Sequence, residues 1–119
     1  METIEEWIEQ LKDSHKLIIV EGKKDKEALE TYGIRNIFPL NGKPLYKVIE
    51  EVADNYKDAI ILTDLDKEGK KLFGNLNSNL SRFGVRVDNS FRNFLFRKTK
   101  LRQIEGLDKY HQEYPEDSS

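Results

Sequence analysis

The 119-residue chain contains no cysteine, three prolines, one methionine and one tryptophan. Without cysteine it can have no disulfide framework, no thiolate zinc site and no cysteine nucleophile. It also lacks any apolar run close to the ~20 residues that cross a bilayer. Its opening residues, Met1-Glu-Thr-Ile-Glu-Glu, are acidic where a secretory signal would be basic. A cytoplasmic setting with no membrane partner is therefore expected. What the chain does have is enough apolar material to fold. Leu, Ile, Val and Phe make up 34 of its 119 residues, above the ~20% below which chains tend to stay disordered. The length suits a single domain over residues 1–119.

Net charge is almost absent, at −2, but it is unevenly spread. From residue 82 to 102 there are seven Lys and Arg against Asp88 alone, and five of the six arginines fall in this stretch. Residues 103–119 form an acidic tail, of which Tyr114-Pro-Glu-Asp-Ser-Ser119 is expected to fray. A polyanionic partner would meet the basic stretch first.

Two short apolar runs, Leu17-Ile-Ile-Val20 and Ala59-Ile-Ile-Leu-Thr63, are continuous and β-branched, as in strands covered on both faces. Asn36-Ile-Phe-Pro-Leu40 is a weaker third. Gly84-Val-Arg-Val-Asp88 alternates like an edge strand with one wet face. Helical spacing fills the gaps. It appears at Ile4, Trp7, Ile8 and Leu11, over residues 25–32 up to Gly33, at Leu45, Val48, Ile49, Val52 and Tyr56, and at Leu72, Phe73, Leu76 and Leu80 before Gly84. The alternation predicts an α/β fold, a small mainly parallel four-stranded sheet with helices on both faces.

In such sheets ligands bind beyond the carboxyl ends of the strands. Both strong strands end there in acid, Val20 running into Glu21-Gly22 and Thr63 into Asp64-Leu65-Asp66. Three carboxylates at one edge repel one another, and a hard divalent cation relieves that; Mg²⁺ favours a few carboxylates, waters and phosphate oxygens. Gly22 and Gly69 suit tight connections where backbone nears a phosphate, and Lys23 and Lys67 stand beside the acids. Each piece also has a plainer reading. Glu-Gly can be only a turn, an Asp after a strand often caps a helix, and a lysine near a turn is usually solvated. An EF-hand is excluded, because loop position twelve would be Asn75. A receiver domain needs an acid pair after its first strand, and Val20-Glu-Gly offers one acid. A haloacid-type phosphatase places Asp-x-Asp after its first strand with Thr next, whereas Lys67 follows here.

Leu17-Ile-Ile-Val-Glu-Gly-Lys-Lys-Asp25 followed by Ile60-Ile-Leu-Thr-Asp-Leu-Asp-Lys-Glu-Gly69 resembles the Toprim domain. That domain is shared by topoisomerases, bacterial-type primases, OLD-type nucleases, recombination-repair proteins and the small ribosomal RNA maturase. Its signature, a Glu after the first strand and Asp-x-Asp after the third, is met without substitution, and the likeness covers about residues 15–90. Gln103-Ile-Glu-Gly-Leu107 is more loosely similar to a Glu-containing segment of the maturase-like members. The resemblance implies a Toprim-like, Rossmann-like three-layer domain with a Mg²⁺ (or Mn²⁺) phosphoryl-transfer site. Glu21 would be a general acid/base or a metal ligand, and Asp64 and Asp66 would hold the ion. Asp25 also matches the pattern, though it could simply cap a helix. No tyrosine-bearing or zinc-binding partner module fits in 119 residues without cysteine. Hydrolysis by an activated water is the simplest chemistry left, with a nucleic acid, RNA ahead of DNA, as substrate.

The strongest alternative is a nucleic-acid-binding accessory module without turnover. In the basic segment 91–102, Phe91, Phe94 and Phe96 interleave with Arg92, Arg97, Lys98, Lys100 and Arg102, so cations could meet phosphates while rings stack on bases. Arg92 and Arg97 are the leading phosphate contacts, since Arg binds phosphate bidentately where Lys does not. The plainer reading puts Phe91, Phe94 and Leu95 on the buried side of a last helix. A docking surface for an acidic protein partner is the remaining possibility, and the oligomeric state is not legible.

Overall fold

The two strong apolar runs lie side by side at the centre of one sheet. The computed structural model describes residues 1–113. In chain order they form α1 (Ile4–Asp13), β1 (Leu17–Val20), α2 (Lys23–Glu30), β2 (Ile37–Pro39), α3 (Leu45–Asn55), β3 (Asp58–Ile61), α4 (Lys67–Arg82), β4 (Arg86–Asp88) and α5 (Ser90–Lys98). A 3₁₀ turn, Ile104–Gly106, and α6, Leu107–Glu113, follow. The strand order is β2-β1-β3-β4, every neighbouring pair is parallel, and β4 is an edge strand.

Because strand side chains alternate between faces, β1 and β3 each supply two cores. Ile18, Val20, Ile60 and Leu62 pack with α1, α5 and the C-terminal turn, whereas Leu17, Ile19, Ala59 and Ile61 pack with α3 and α4. Trp7, fully buried, donates its indole N–H to the Phe91 carbonyl at 2.8 Å and ties α1 to α5. The expected helices are present on both faces. Gly33 and Gly84 follow α2 and α4 with φ of +80° and +87°, values that suit glycine.

Several boundaries differ from expectation: β3 ends at Ile61 and not at Thr63, β4 starts at Arg86 and not at Gly84, and α4 starts at Lys67, ahead of Leu72. The helix expected over residues 25–32 starts at Lys23, because the Asp25 carboxylate reaches back to the Gly22 N–H at 2.9 Å and closes its first turn. The acidic tail is no mere tail in its first half. Ile104 and Leu107 enter the core three residues apart across the 3₁₀ turn, and Leu101 is buried just before them. The fraying expected of Tyr114-Pro-Glu-Asp-Ser-Ser119 concerns residues outside the described ones. Among the described residues, no helix is long and apolar enough to cross a membrane.

Candidate functional site

β1 and β3 are neighbours in register, Ile19 beside Ile61, so the residues that leave their carboxyl ends emerge together. Glu21 and Asp64 meet directly: the Asp64 backbone N–H donates to Glu21 Oε1 at 3.0 Å. Asp66 caps α4, its Oδ1 accepting the Gly69 N–H at 2.8 Å. The cap and the cluster thus share one residue. Asp64, buried, receives the Ile104 N–H on Oδ1 at 3.0 Å. The second oxygens of Glu21, Asp64 and Asp66 accept no hydrogen bond among the described residues.

The cluster is larger than the signature. Asp25, on the first turn of α2, is buried next to Asp64, and Glu105 lies close enough for its charge to act on both. Burial pushes the Asp25 carboxyl up to about 6, and the Asp64 charge pushes the same way against the Gly22 N–H. Glu21 is raised first by burial and then by Asp64, Asp66 and Asp25, while the Asp64 N–H opposes. Asp64 is raised by burial and by Asp66 and Glu105, against the Ile104 N–H and Arg92. Crowded, partly desolvated carboxylates that resist ionising together are a donor set for a hard cation. No three Asp, Glu or His side chains among the described residues close into a cage around one ion.

These shifts have a sign that can be checked. A carboxyl whose pKa is higher folded than unfolded favours the folded state below the unfolded value, near 3.8 for Asp25, and loses that contribution as pH rises to about 6. Without divalent ions, urea denaturation should show stability falling between pH 4 and about 6. Asp25→Asn, which still accepts from Gly22, should flatten that slope. An unchanged slope would mean that Asp25 is not the titrating group.

The other expected residues divide by burial. Gly69 is buried in the first turn of α4, and a Cβ there would overlap the Asp64 carbonyl and lie 2.8 Å from Asp64 N. Its absent side chain lets α4 start against the acidic loop, and its own carbonyl accepts the Thr63 hydroxyl at 2.8 Å. Gly22 has an extended φ of −151° and nothing nearer its missing Cβ than Asp25 Oδ2 at 3.9 Å, so it leaves room beside Glu21. Lys23 and Lys67 are exposed, Lys23 lying 3.9 Å from Glu27. Arg97 is exposed on α5.

Arg92 is not at the surface. It is buried, donating Nη2 to the Asp64 carbonyl at 2.9 Å and Nε to that of Thr63 at 3.3 Å, with its guanidinium 4.4 Å from the Phe73 ring centre. It is a positioning residue that holds the Asp64 loop from behind. Phe91 and Phe94 are buried as well, the plainer of their two readings, whereas Phe96 is half exposed. The Leu65 N–H completes the strap by donating to the Arg102 carbonyl at 2.7 Å. Sequence reasoning missed this strapping by residues 92–104. The loose likeness of Gln103–Leu107 to a maturase segment pointed to this stretch but not to its contacts, because the donors and acceptors are mostly backbone groups.

Comparison with known proteins agrees with this geometry. Residues 16–90 match the Toprim domain. A UPF0292 protein from Methanocaldococcus jannaschii is 36% identical over 115 residues, 92% of this chain and 90% of that protein. Another from Pyrococcus abyssi is 37% identical over 103 residues, covering 84% and 77%. A solved structure of a protein from Aquifex aeolicus aligns with a TM-score of 0.82 at 36% identity, covering 88% of this chain and 98% of that one. With the Glu and Asp-x-Asp at the carboxyl ends of adjacent parallel strands, the chain belongs to the Toprim domain family, among the UPF0292 proteins.

Proposed function

We propose that this chain acts on nucleic-acid phosphodiesters with Mg²⁺, as a small nuclease or RNA-processing protein. The observation that carries the reading is the 3.0 Å hydrogen bond from Asp64 N–H to Glu21 Oε1, which joins the acids of β1 and β3 at one edge. Toprim domains typically bind Mg²⁺ through such acids. Asp64 and Asp66, with Glu21 beside them, are the residues to hold the ion. When bound, Mg²⁺ would offset charge building on the phosphate and make a coordinated water more acidic. Glu21 would take or return the proton, because its carboxylate stands at the same edge against the Asp64 backbone. Arg92 would keep the Asp64 backbone in place throughout, and hydrolysis by an activated water is the simplest chemistry that these residues could carry.

A second reading has its own support. Glu21, Asp64 and Asp66 each already serve a backbone N–H, and no three acids form a cage among the described residues. The same acids could then be structural, in a module that binds nucleic acid without turnover. Metal linkage tests the first step. Mg²⁺ should raise the wild-type Tm, by about 2.7 kcal/mol of added stability at a hundred times its Kd. Asp66→Asn should remove most of that shift while sparing the fold, because Asn caps a helix as well as Asp does. An equal shift in the variant would place the ion elsewhere.

A further inference from the structure

We propose that the cleft between Asp66 and the C-terminal segment is a seat for one unpaired nucleic-acid strand. It would grip phosphates next to the one presented to Glu21, Asp64 and Asp66. The proposal deepens the phosphodiester reading above and rests on it for the position of the reacting phosphate.

The cleft holds about 440 Å³, and its walls include Asp66, Lys100, Arg102, Gln103, Lys109 and Tyr110. One end is therefore a carboxylate of the site itself, and the remainder sets the cations Lys100 and Arg102 two residues apart. Their direction follows from the fold. Residues 99–103 are outside any helix, and Leu101 is buried, which puts its neighbours Lys100 and Arg102 on the outer side. The backbone beneath them is fixed by the Leu65 N–H bond to the Arg102 carbonyl, so Arg102 is anchored at the residue between the two aspartates. Its guanidinium also donates to the Leu101 carbonyl at 2.9 Å.

Aromatic surface accompanies the cations. Tyr110, partly buried against the core, forms one wall of the cleft. One turn of α4 beyond Asp66, Lys70 Nζ lies 5.3 Å from the ring centre of the half-exposed Phe96. Cations that track phosphates beside rings that can stack on bases are the pattern of single-strand binding, and paired bases hide the faces those rings need. A larger groove of about 610 Å³ between α3 and α4 is lined by Tyr46, Phe83, Glu50 and Asp54, without Lys or Arg. It does not suit a polyanion.

Binding can be separated from turnover by working in a Glu21→Gln background with Mg²⁺ present. Fluorescence anisotropy would use single-stranded RNA, single-stranded DNA and a duplex of matching sequence. Lys100→Ala with Arg102→Ala should weaken single-strand binding about tenfold at 0.1 M salt and make the salt slope shallower by about 1.4. Both residues are exposed and the pair loses one hydrogen bond, from Arg102 to the Leu101 carbonyl, so the Tm should fall by no more than a few degrees. A control pair, Lys12→Ala with Lys57→Ala near the amino ends of the strands, removes the same charge and should change affinity little. Equal losses in both pairs, an unchanged slope, or a duplex bound as tightly as a single strand would overturn the cleft. RNA and DNA arms report which sugar it takes. A chain that binds through the cleft yet never cuts would keep the cleft and remove the nuclease reading. Cutting with affinity unchanged by the double substitution would do the reverse.

Discussion

Glu21→Gln should leave the chain folded and reduce phosphodiester cleavage by ~10²–10⁴, the usual contribution of a general acid or base. The expectation separates two duties of one side chain. Glu21 Oε1 accepts the Asp64 N–H, and a glutamine carbonyl can accept it as well, so the β1–β3 edge should survive. The proton acceptor is what disappears. Folding stability above pH 6 should rise slightly, because one of several crowded negative charges is gone. A variant that cuts at the wild-type rate would reduce Glu21 to a strut for the Asp64 loop.

The largest effect on stability is expected at Gly69→Ala. A methyl group there would overlap the Asp64 carbonyl, and the obstacle is backbone, which cannot swing aside as a long side chain can. Overpacking costs ~1–3 kcal/mol in ordinary cores, and this site should lie at or beyond the upper figure. In a domain of this size that is a Tm loss of roughly 10 °C or more. Gly74, five residues along α4, is the internal control. It is exposed, with nothing within 4 Å of its missing Cβ, so Gly74→Ala should stabilise by ~0.5–1 kcal/mol. Opposite signs for one substitution in one helix would show that Gly69 is needed for close approach and not for flexibility. If both variants gained stability, the contact of α4 with the acidic loop would not be as described.

The parts legible in the sequence are those written in side-chain periodicity. Continuous apolar runs placed β1 and β3 in a covered parallel sheet, and the acids that end them follow at once, so the edge bearing Glu21 and Asp64 could be foreseen. Arg92 was harder. Its being an arginine pointed toward phosphate, but the same planar fork serves two backbone carbonyls over Phe73, and no residue type reveals which partner it has. Gly69 was noticed as a glycine, yet the reason lies in how near α4 starts to Asp64, a tertiary distance. The segment after α5 was least legible. Its hold on the site runs through the Ile104 N–H and the Arg102 carbonyl, which every non-proline residue possesses. Acidic residues around Ile104 and Leu107 made it look like a solvated tail.

The most direct measurement is the appearance of shortened products when purified wild-type chain meets a mixed pool of structured RNA and single-stranded DNA, with Mg²⁺ or with chelator. The account predicts products that form with Mg²⁺, stop with chelator, and fall by ~10²–10⁴ in rate for Glu21→Gln. Tight binding with no product in Mg²⁺ or Mn²⁺, from a chain whose Tm Mg²⁺ does not move, would contradict it.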